Sequence, residues 1–179
     1  MISRMAIPDV LLIRPPRYSD ARGWFSEAYN VAAMDEAGVP RFVQDNESLS
    51  AAVGTVRGLH FQRGEFSQAK LVRCVTGAIF DVAVDIRPGS ATFGKHVAAR
   101  LDATEGAQMF IPAGFAHGFC TLAPDSLIQY KVSTPYSRAN ESGIAWNDPA
   151  LGIDWPVSAD AVILSDRDRA LPHLKDAAL

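Results

Sequence analysis

The chain has 179 residues, a formal net charge of −3, 48% hydrophobic and 21% charged residues. This length and balance fit one globular domain with its own core and argue against a disordered chain. The weakly acidic charge gives no basis for non-specific nucleic-acid binding, so an anionic ligand would need a local cluster of cations.

The N-terminal region contains only a short apolar run, residues 10–13, between Pro8 and Pro15. That run is too short for a signal peptide or a membrane span, so we expect no membrane partner and a cytoplasmic location. Cys74 and Cys120 lie far apart and lack CxxC or zinc spacing. Two reduced core thiols are therefore favoured over a disulfide.

The elements that follow are mainly short strands separated by turn residues. Segment 31–38 (VAAMDEAG) is the exception and has a helical pattern, with Asn30 as N-cap and Gly38 as the stop. From residue 140 onward the chain is richer in Pro, Asp and turn residues, which predicts an irregular wrap around the outside. Strand-like segments occur at 57–62, 70–75, 80–86, 95–102, 108–111, 119–123 and 127–133.

Segment 80–86 alternates four apolar residues at even positions with Asp81, Ala83 and Asp85. This period of two predicts a half-buried strand. The pattern leaves open whether the two aspartates line a cavity or face solvent. Together, the many short strands predict a β-sandwich, jelly roll or barrel in a single domain, residues 1–179, with the wrap at about 140–179.

The stretch RGLHFQ (57–62) places Arg57 and His60 within an otherwise apolar strand. A buried charge costs several kcal/mol unless it is paired or serves a task. Its context is two motifs, GTVRGLH (54–60) and GAQMFIPAGFAH (106–117). They resemble the two histidine motifs of the cupin superfamily of small jelly-roll barrels, which implies that His60 and His117 face one cavity.

Metal-binding cupins use three histidines and a glutamate, but this chain has Gln62 and Lys70 at two of those positions. An ammonium repels a metal, and two histidines without a carboxylate form a poor divalent site. We therefore expect no metal and no other cofactor.

The resemblance narrows with RGLHFQ, QAKLVRCVTGAIFDVAVDIRPGSATFGK, IPAGFAHGF, YK and WNDPALGIDWP, in that order. Together with DARGWFSEAYN and QDNESLS, these motifs are similar to the dTDP-4-dehydrorhamnose 3,5-epimerase family, from about Ile7 to Pro172. The resemblance implies an all-β, cupin-type jelly-roll β-barrel with short peripheral helices. It also implies epimerisation at C3 and C5 of dTDP-4-dehydro-6-deoxy-D-glucose to dTDP-4-dehydro-L-rhamnose, which supplies L-rhamnose for cell-surface polysaccharide.

The resemblance also implies catalytic roles for four residues. His60 matches the base that removes a proton alpha to the ketone, and Asp168 matches its carboxylate partner. Tyr130 matches the acid on the opposite face of the sugar, and Lys70 matches the residue that stabilises the enolate oxygen. From the residues alone, Asp160 and Asp166 are rivals of Asp168.

The family's substrate contacts match further positions. Arg57 would hold diphosphate or sugar oxygens, and His117 would add a polar contact beside the ketone. Arg22 and Glu27 match residues that often serve the partner subunit's site, which implies a homodimer. The remaining matches are Gln44, Asp45, Asn46, Tyr136, Glu141 and Arg167.

One segment departs from the family pattern, because Pro135 replaces the first of two consecutive tyrosines and only Tyr136 remains. If that first ring stacks on thymine, this chain must use another ring, such as Tyr18. The preference for thymine is therefore less firmly predicted than the reaction.

Three other functions stay open at this point. A relative that inverts only C3 or C5 would share the fold, and a metal-dependent cupin oxygenase would need the missing ligands. A non-catalytic sugar-binding barrel would not need base, paired aspartate and acid together. Trp146 and Trp155 are expected to pack the wrap onto the barrel.

Overall fold

Two antiparallel sheets face each other in the computed structural model, which describes residues 1–179. The six-stranded sheet has the order β1-β2-β10-β7-β12-β5, and the five-stranded sheet has the order β13-β6-β11-β8-β9. Strands β3 and β4 form a separate hairpin. The strands are β1 (Ile2–Arg4), β2 (Leu11–Ile13), β3 (Tyr18–Asp20), β4 (Gly23–Phe25), β5 (Gln44–Ser50), β6 (Val56–Gln62), β7 (Lys70–Thr76), β8 (Ala78–Asp85), β9 (His96–Asp102), β10 (Gln108–Ile111), β11 (Phe115–Thr121), β12 (Ser126–Val132) and β13 (Glu141–Gly143).

The architecture confirms the predicted all-β jelly roll with short peripheral helices. The α-helices are α1 (Val31–Glu36) and α2 (Asp166–Arg169), and 3₁₀ turns occur at Gly64–Phe66, Arg138–Asn140 and Leu174–Asp176. None of these helices has the length and apolar character needed to cross a membrane.

Helix α1 begins where the sequence predicts. The Asn30 side chain accepts hydrogen bonds from the backbone N–H groups of Ala32 and Ala33, which is N-cap geometry. Gly38 has a φ of +73°, a left-handed conformation that commonly follows a helix C-terminus. The predicted helix is confirmed, with its last turn ending at Glu36.

Most predicted strands are confirmed, with two differences. The strand predicted at 119–123 spans Phe115–Thr121, and its early residues were interpreted only as a histidine motif. Strand β5 (QDNESLS) was not assigned to a strand, since it has no apolar alternation. Its alternate residues are instead polar and face a cavity between the sheets.

The inter-sheet core is apolar and holds the two sheets at a fixed separation. Its fully buried members include Val72 and Ile128 from the six-stranded sheet and Ile79 and Phe115 from the five-stranded sheet. Burying each such side chain stabilises the fold by about 1.5–3 kcal/mol. The two cysteines are buried and unpaired, which confirms the prediction of reduced core thiols.

The prediction of a half-buried strand at 80–86 is wrong, because β8 is buried on both faces. The C-terminal wrap covers its outer face, where Val82 and Val84 pack against Ile144 and Leu151. The odd positions therefore face the interior, and the side chain of Asp81 has no exposed surface.

Asp85, also fully buried, organises the turn after β8. Its carboxylate accepts hydrogen bonds from Arg87, Ser90 and Thr92. Burial alone would raise the pKa of Asp85, but these hydrogen bonds hold it far below its usual value. Asp85 thus stabilises this turn, whereas the side chain of Asp81 takes no part in it.

The C-terminal wrap is fixed to the barrel by hydrogen bonds. The backbone N–H of Ile144 donates to the carbonyl of Leu59 at 2.9 Å, and the backbone N–H of Val56 donates to the carbonyl of Ile163 at 3.0 Å. The predicted packing role of both tryptophans is confirmed by their edge-to-face contact in the apolar layer under the wrap. The packing of the wrap on this layer places α2 at the mouth of the barrel.

Candidate active site

A cavity of about 520 Å³ opens between the two sheets, a size typical of small-molecule sites. Eleven of the fourteen residues that the sequence predicted for the site line it. They are Gln44, Asn46, Arg57, His60, Lys70, His117, Tyr130, Tyr136, Glu141, Arg167 and Asp168.

The two histidines stand side by side on the five-stranded sheet, where His117 of β11 pairs directly with His60 of β6. Glycines allow this close approach. A Cβ on Gly58, which has a φ of +120°, would lie 2.6 Å from the Cα of Gly118. A Cβ on Gly118 would lie 2.8 Å from the backbone oxygen of Arg57. Side chains at these positions would push the two strands apart.

Lys70 and Tyr130 come from the opposite wall. They lie on β7 and β12, neighbouring strands of the six-stranded sheet. A ligand between the sheets therefore has His60 on one side and Tyr130 on the other. A general base and a general acid that act on opposite faces of a ring need this arrangement.

His60 forms a hydrogen-bonded pair with Asp168, at 2.5 Å between Nε2 and Oδ1. Asp168 lies on α2, and its backbone N–H donates to the N-cap Ser165. Burial alone would raise the pKa of Asp168, but the hydrogen bond and charge of His60 lower it, with help from Ser165 and the Gly58 backbone. Its rivals Asp160 and Asp166 are exposed, so the structure selects Asp168 as the partner.

Lys70 is almost completely buried at the cavity wall, with 7% of its surface exposed. Its ammonium donates to the backbone carbonyl of His60 at 3.3 Å. Burial lowers the pKa of Lys70 to about 8, and the negative charges of Asp81 and Glu141 limit the fall. Lys70 is therefore still mostly charged at neutral pH.

His117 forms a second histidine–aspartate pair, with 2.7 Å between its Nε2 and Asp81 Oδ1. Burial lowers the pKa of His117, the Asp81 carboxylate opposes this, and the nearby Lys70 and His60 lower it further. Sequence analysis did not assign Asp81 to the site. The sequence feature that could have identified Asp81 is the alternation in β8, because the face that carries its aspartates is the inner one.

Tyr130 is partly buried among polar neighbours. Burial raises the pKa of its phenol, the positive charge of Arg57 lowers it, and Glu141 raises it. The phenol therefore keeps its proton at neutral pH, as a proton donor must.

The rim carries a chain of linked polar groups. Tyr136 Oη donates to Glu141 at 2.5 Å, and Arg167 pairs with the same carboxylate at 2.6 Å. Arg57 is held by Ser50 Oγ and the Leu49 carbonyl. The two guanidinium groups provide local positive charge on a chain that is acidic overall.

Two buried glutamines that sequence analysis did not select also line the cavity. Gln62 Oε1 accepts from the Ser137 backbone N–H, and Gln68 Nε2 donates to the Thr134 carbonyl. They fix the segment that carries Tyr136. Gln62 thus has a structural partner at the position where metal-binding cupins place a histidine.

Three predicted residues lie outside this cavity. Asp45 is on the outer face of β5 and pairs with Lys131 at 2.8 Å. Arg22 is exposed and pairs with Asp20, and Glu27 is exposed in the segment between β4 and α1. Within one chain, these three side chains do not reach the site.

The donor groups of the cavity are unsuited to a divalent metal ion. Both histidines use Nε2 to bind an aspartate, and Lys70 places an ammonium in the same cavity. No group of three or more His, Cys, Asp or Glu side chains is arranged to hold a metal ion. These residues do not fit the metal centre of a cupin oxygenase.

Known proteins resemble the chain over nearly its whole length. The family dTDP-4-dehydrorhamnose 3,5-epimerase matches residues 4–176. The enzyme of that name from Sinorhizobium fredii is 52% identical over 95% of this chain and 87% of its own length.

Solved structures agree with these sequence matches. A Legionella pneumophila dTDP-6-deoxy-D-glucose-3,5-epimerase in complex with dTDP-4-keto-L-rhamnose has a TM-score of 0.94 and 42% identity, covering 98% of this chain and 93% of that one. A 3'-monoepimerase from Streptomyces bikiniensis in complex with dTDP-quinovose has a TM-score of 0.88 and 34% identity, covering 96% and 87%. The chain belongs to the dTDP-4-dehydrorhamnose 3,5-epimerase family of isomerases.

Proposed function

We propose that the protein inverts C3 and C5 of dTDP-4-dehydro-6-deoxy-D-glucose, forming dTDP-4-dehydro-L-rhamnose without a cofactor. The observation that carries this proposal is the placement of the His60–Asp168 pair and Tyr130 on opposite walls of one cavity. Similarity to an enzyme in complex with dTDP-4-keto-L-rhamnose supports the substrate class.

His60 is proposed as the base. Its Nε2–H donates to Asp168, which leaves the Nδ1 lone pair to accept the proton from the carbon alpha to the C4 ketone. The C–H electron pair moves into an enolate, whose oxygen the Lys70 ammonium stabilises. The Asp168 carboxylate stabilises the imidazolium that forms.

Tyr130 is proposed as the acid. Its phenolic O–H gives a proton to the same carbon from the opposite wall, which inverts the carbon and restores the ketone. His60 then holds an extra proton and Tyr130 lacks one, so both must exchange protons with solvent before the second carbon reacts. The positive charge of Arg57 stabilises the transient phenolate.

The rim is proposed to bind the nucleotide. Arg57 and Arg167 would pair with diphosphate oxygens, and bidentate guanidinium contacts suit phosphate groups. Tyr136, half exposed, provides a ring beside them. His117, Gln44, Asn46 and Glu141 complete the proposed substrate contacts.

The second candidate is inversion of one carbon only, favoured by the likeness to the Streptomyces bikiniensis 3'-monoepimerase. The relatives named for the double reaction share more sequence, 52% against 34% identity. Both reactions use a base and an acid, so the number of ring carbons that exchange their proton is the property that separates the two candidates.

An incubation with dTDP-4-dehydro-6-deoxy-D-glucose in D₂O tests the proposed reaction. We expect proton NMR of the sugar ring to show deuterium at both C3 and C5, and a 4-reductase to trap the L-configured product. Deuterium at one carbon only would establish the mono-epimerase. Exchange at neither carbon would contradict the proposed function.

A homodimer is also proposed. The β3–β4 hairpin exposes three large side chains, Tyr18 at 63%, Trp24 at 58% and Phe25 at 68%. Clustered exposed aromatic residues mark an interaction surface. Arg22 lies in the turn of this hairpin, away from its own cavity, which supports its expected role in the partner subunit's site.

Mixing two inactive variants tests this shared site. We expect Arg22→Ala and His60→Ala to be inactive alone, since each site would lack one group. Subunit exchange should restore about a quarter of wild-type turnover, because half of the dimers are hybrids and each hybrid has one complete site. Light scattering measures the oligomeric state. If subunits exchange and the mixture still recovers no activity, the site is not shared between subunits.

A cytoplasmic location is proposed as well. Both cysteines are buried free thiols, which suits a reducing compartment.

A further inference from the structure

The Asp81–His117 pair takes no part in the proton transfers proposed above. We propose that Asp81 is a positioning residue for this reaction, whose buried carboxylate holds His117 and supplies the negative charge that keeps the Lys70 ammonium ionised. The inference deepens the proposed function and rests on it for its catalytic consequence.

The geometry leaves the Asp81 carboxylate only partly satisfied. Its side chain has no exposed surface, and Oδ1 is 2.7 Å from His117 Nε2. Its Oδ2 is buried without any hydrogen-bond partner. A buried charge with a free oxygen is costly, so a neighbouring positive charge must offset it.

His117 does not provide that positive charge. Burial and the nearby Lys70 and His60 favour its neutral form, and they outweigh the opposing effect of Asp81 on its pKa. A neutral His117 donates Nε2–H to Asp81 and adds no charge. The pair therefore contains no cation that offsets the buried carboxylate.

Lys70 is the matching cation. The titratable or charged groups around it come from five strands, the segment after β12 and one helix: His60 and Arg57 on β6, Asp81 on β8, His117 on β11, Tyr130 on β12, Tyr136 in the segment after β12, Glu141 on β13, and Arg167 and Asp168 on α2.

Glu141 is already paired, because it binds Arg167 and Tyr136. Asp168 and Asp81 each bind a histidine, but Oδ2 of Asp81 is buried without a hydrogen-bond partner. Of the two carboxylates whose charge raises the pKa of Lys70, Asp81 has the larger effect. Without it, burial would drive Lys70 toward the neutral amine, a weaker donor to an enolate oxygen.

The test is the ionisation of Lys70 in the ligand-free protein. The variant is Asp81→Asn, whose amide oxygen can still accept from His117 while the charge is lost. Lys70 is labelled with acetic anhydride across neutral to alkaline pH and quantified by mass spectrometry. We expect half-maximal labelling near pH 8 in the wild type and about one pH unit lower in the variant.

Asp85→Asn is the matched control, because Asp85 is equally buried on the same strand but binds the turn after β8. It should leave the labelling midpoint of Lys70 unchanged. Circular dichroism and thermal unfolding establish that both variants fold. An unchanged midpoint in folded Asp81→Asn would overturn the inference.

Turnover gives a second readout. The alkaline limb of the kcat profile should move to lower pH in Asp81→Asn, while the acidic limb stays in place. A uniform loss of kcat with no movement of that limb would indicate a purely structural role and would overturn the inference. If the wild type fails to epimerise the sugar, the proposed function fails, but the labelling experiment still tests the Asp81–Lys70 coupling.

Carbon-13 NMR of the wild-type aspartate carboxyl groups covers the case in which Asp81→Asn does not fold. The Asp81 signal should shift at the same pH at which Lys70 labels to half its maximum, because the neighbouring charge then changes. An Asp81 signal that does not respond at that pH would equally overturn the proposal.

Discussion

Replacing His60 with alanine is expected to lower kcat by about three orders of magnitude and to stop deuterium exchange at both C3 and C5. The imidazole is the proposed base for each inversion, so its loss should block the first proton transfer. The fold should survive, since 31% of the His60 side chain is exposed and the apolar core does not use it. Steady-state kinetics and NMR exchange measure the effect.

His60→Gln separates the loss of the base from the loss of a partner for Asp168. Glutamine can still donate a hydrogen bond to that carboxylate, but it cannot accept a proton at neutral pH. We expect it to be as inactive as the alanine variant, with a melting temperature closer to that of the wild type. Near wild-type turnover in either variant would show that another residue is the base.

Replacing Tyr130 with phenylalanine is expected to separate exchange from inversion. His60 can still remove a proton and return a deuteron to the same face, so deuterium should continue to enter the substrate. Inverted product should fall about 100-fold or more, because no acid remains on the opposite wall. The ratio of exchanged substrate to epimerised product, read by NMR, is the measurement.

Tyr136→Phe is the matched control for this experiment, since it removes a phenol from the rim rather than from the wall. Its hydroxyl binds Glu141, so the change should raise KM and leave the ratio of exchange to inversion unaltered. If Tyr130→Phe lost exchange and inversion equally, the phenol would act in enolate formation, and its assignment as the acid would be wrong.

The sequence predicted much of the site because its residues lie in short segments of recognisable spacing. The sequence places His60, Lys70 and Tyr130 in strands and His117 in a histidine motif, and the structure brings all four to one cavity. The partner of His60 could be narrowed only to three aspartates from the residues themselves. Burial then distinguishes Asp168 from the exposed alternatives.

The parts that could not be predicted depend on what covers each face of a strand. The alternation in β8 predicts two different faces, but it does not indicate that the C-terminal wrap covers the apolar one. The sequence alone therefore leaves the direction of the Asp81 side chain open. In β5, alternation sends Gln44 and Asn46 into the cavity and Asp45 outward. A polar strand of this kind gives no apolar period from which to infer its register.

Because His60 and Tyr130 lie on separate sheets, the distance between their side chains depends on how the whole sandwich is packed. Face-to-face sheets stand about 10 Å apart, and the side chains between them set that spacing. Ile128 lies on the same strand as Tyr130, and Phe119 lies on β11, which pairs with the β6 strand of His60. The same or adjacent strands therefore carry both the inter-sheet core and the proposed reacting groups. Packing and chemistry therefore cannot change independently here: a methylene gained or lost at such a position changes how well the proposed acid and base fit one sugar ring.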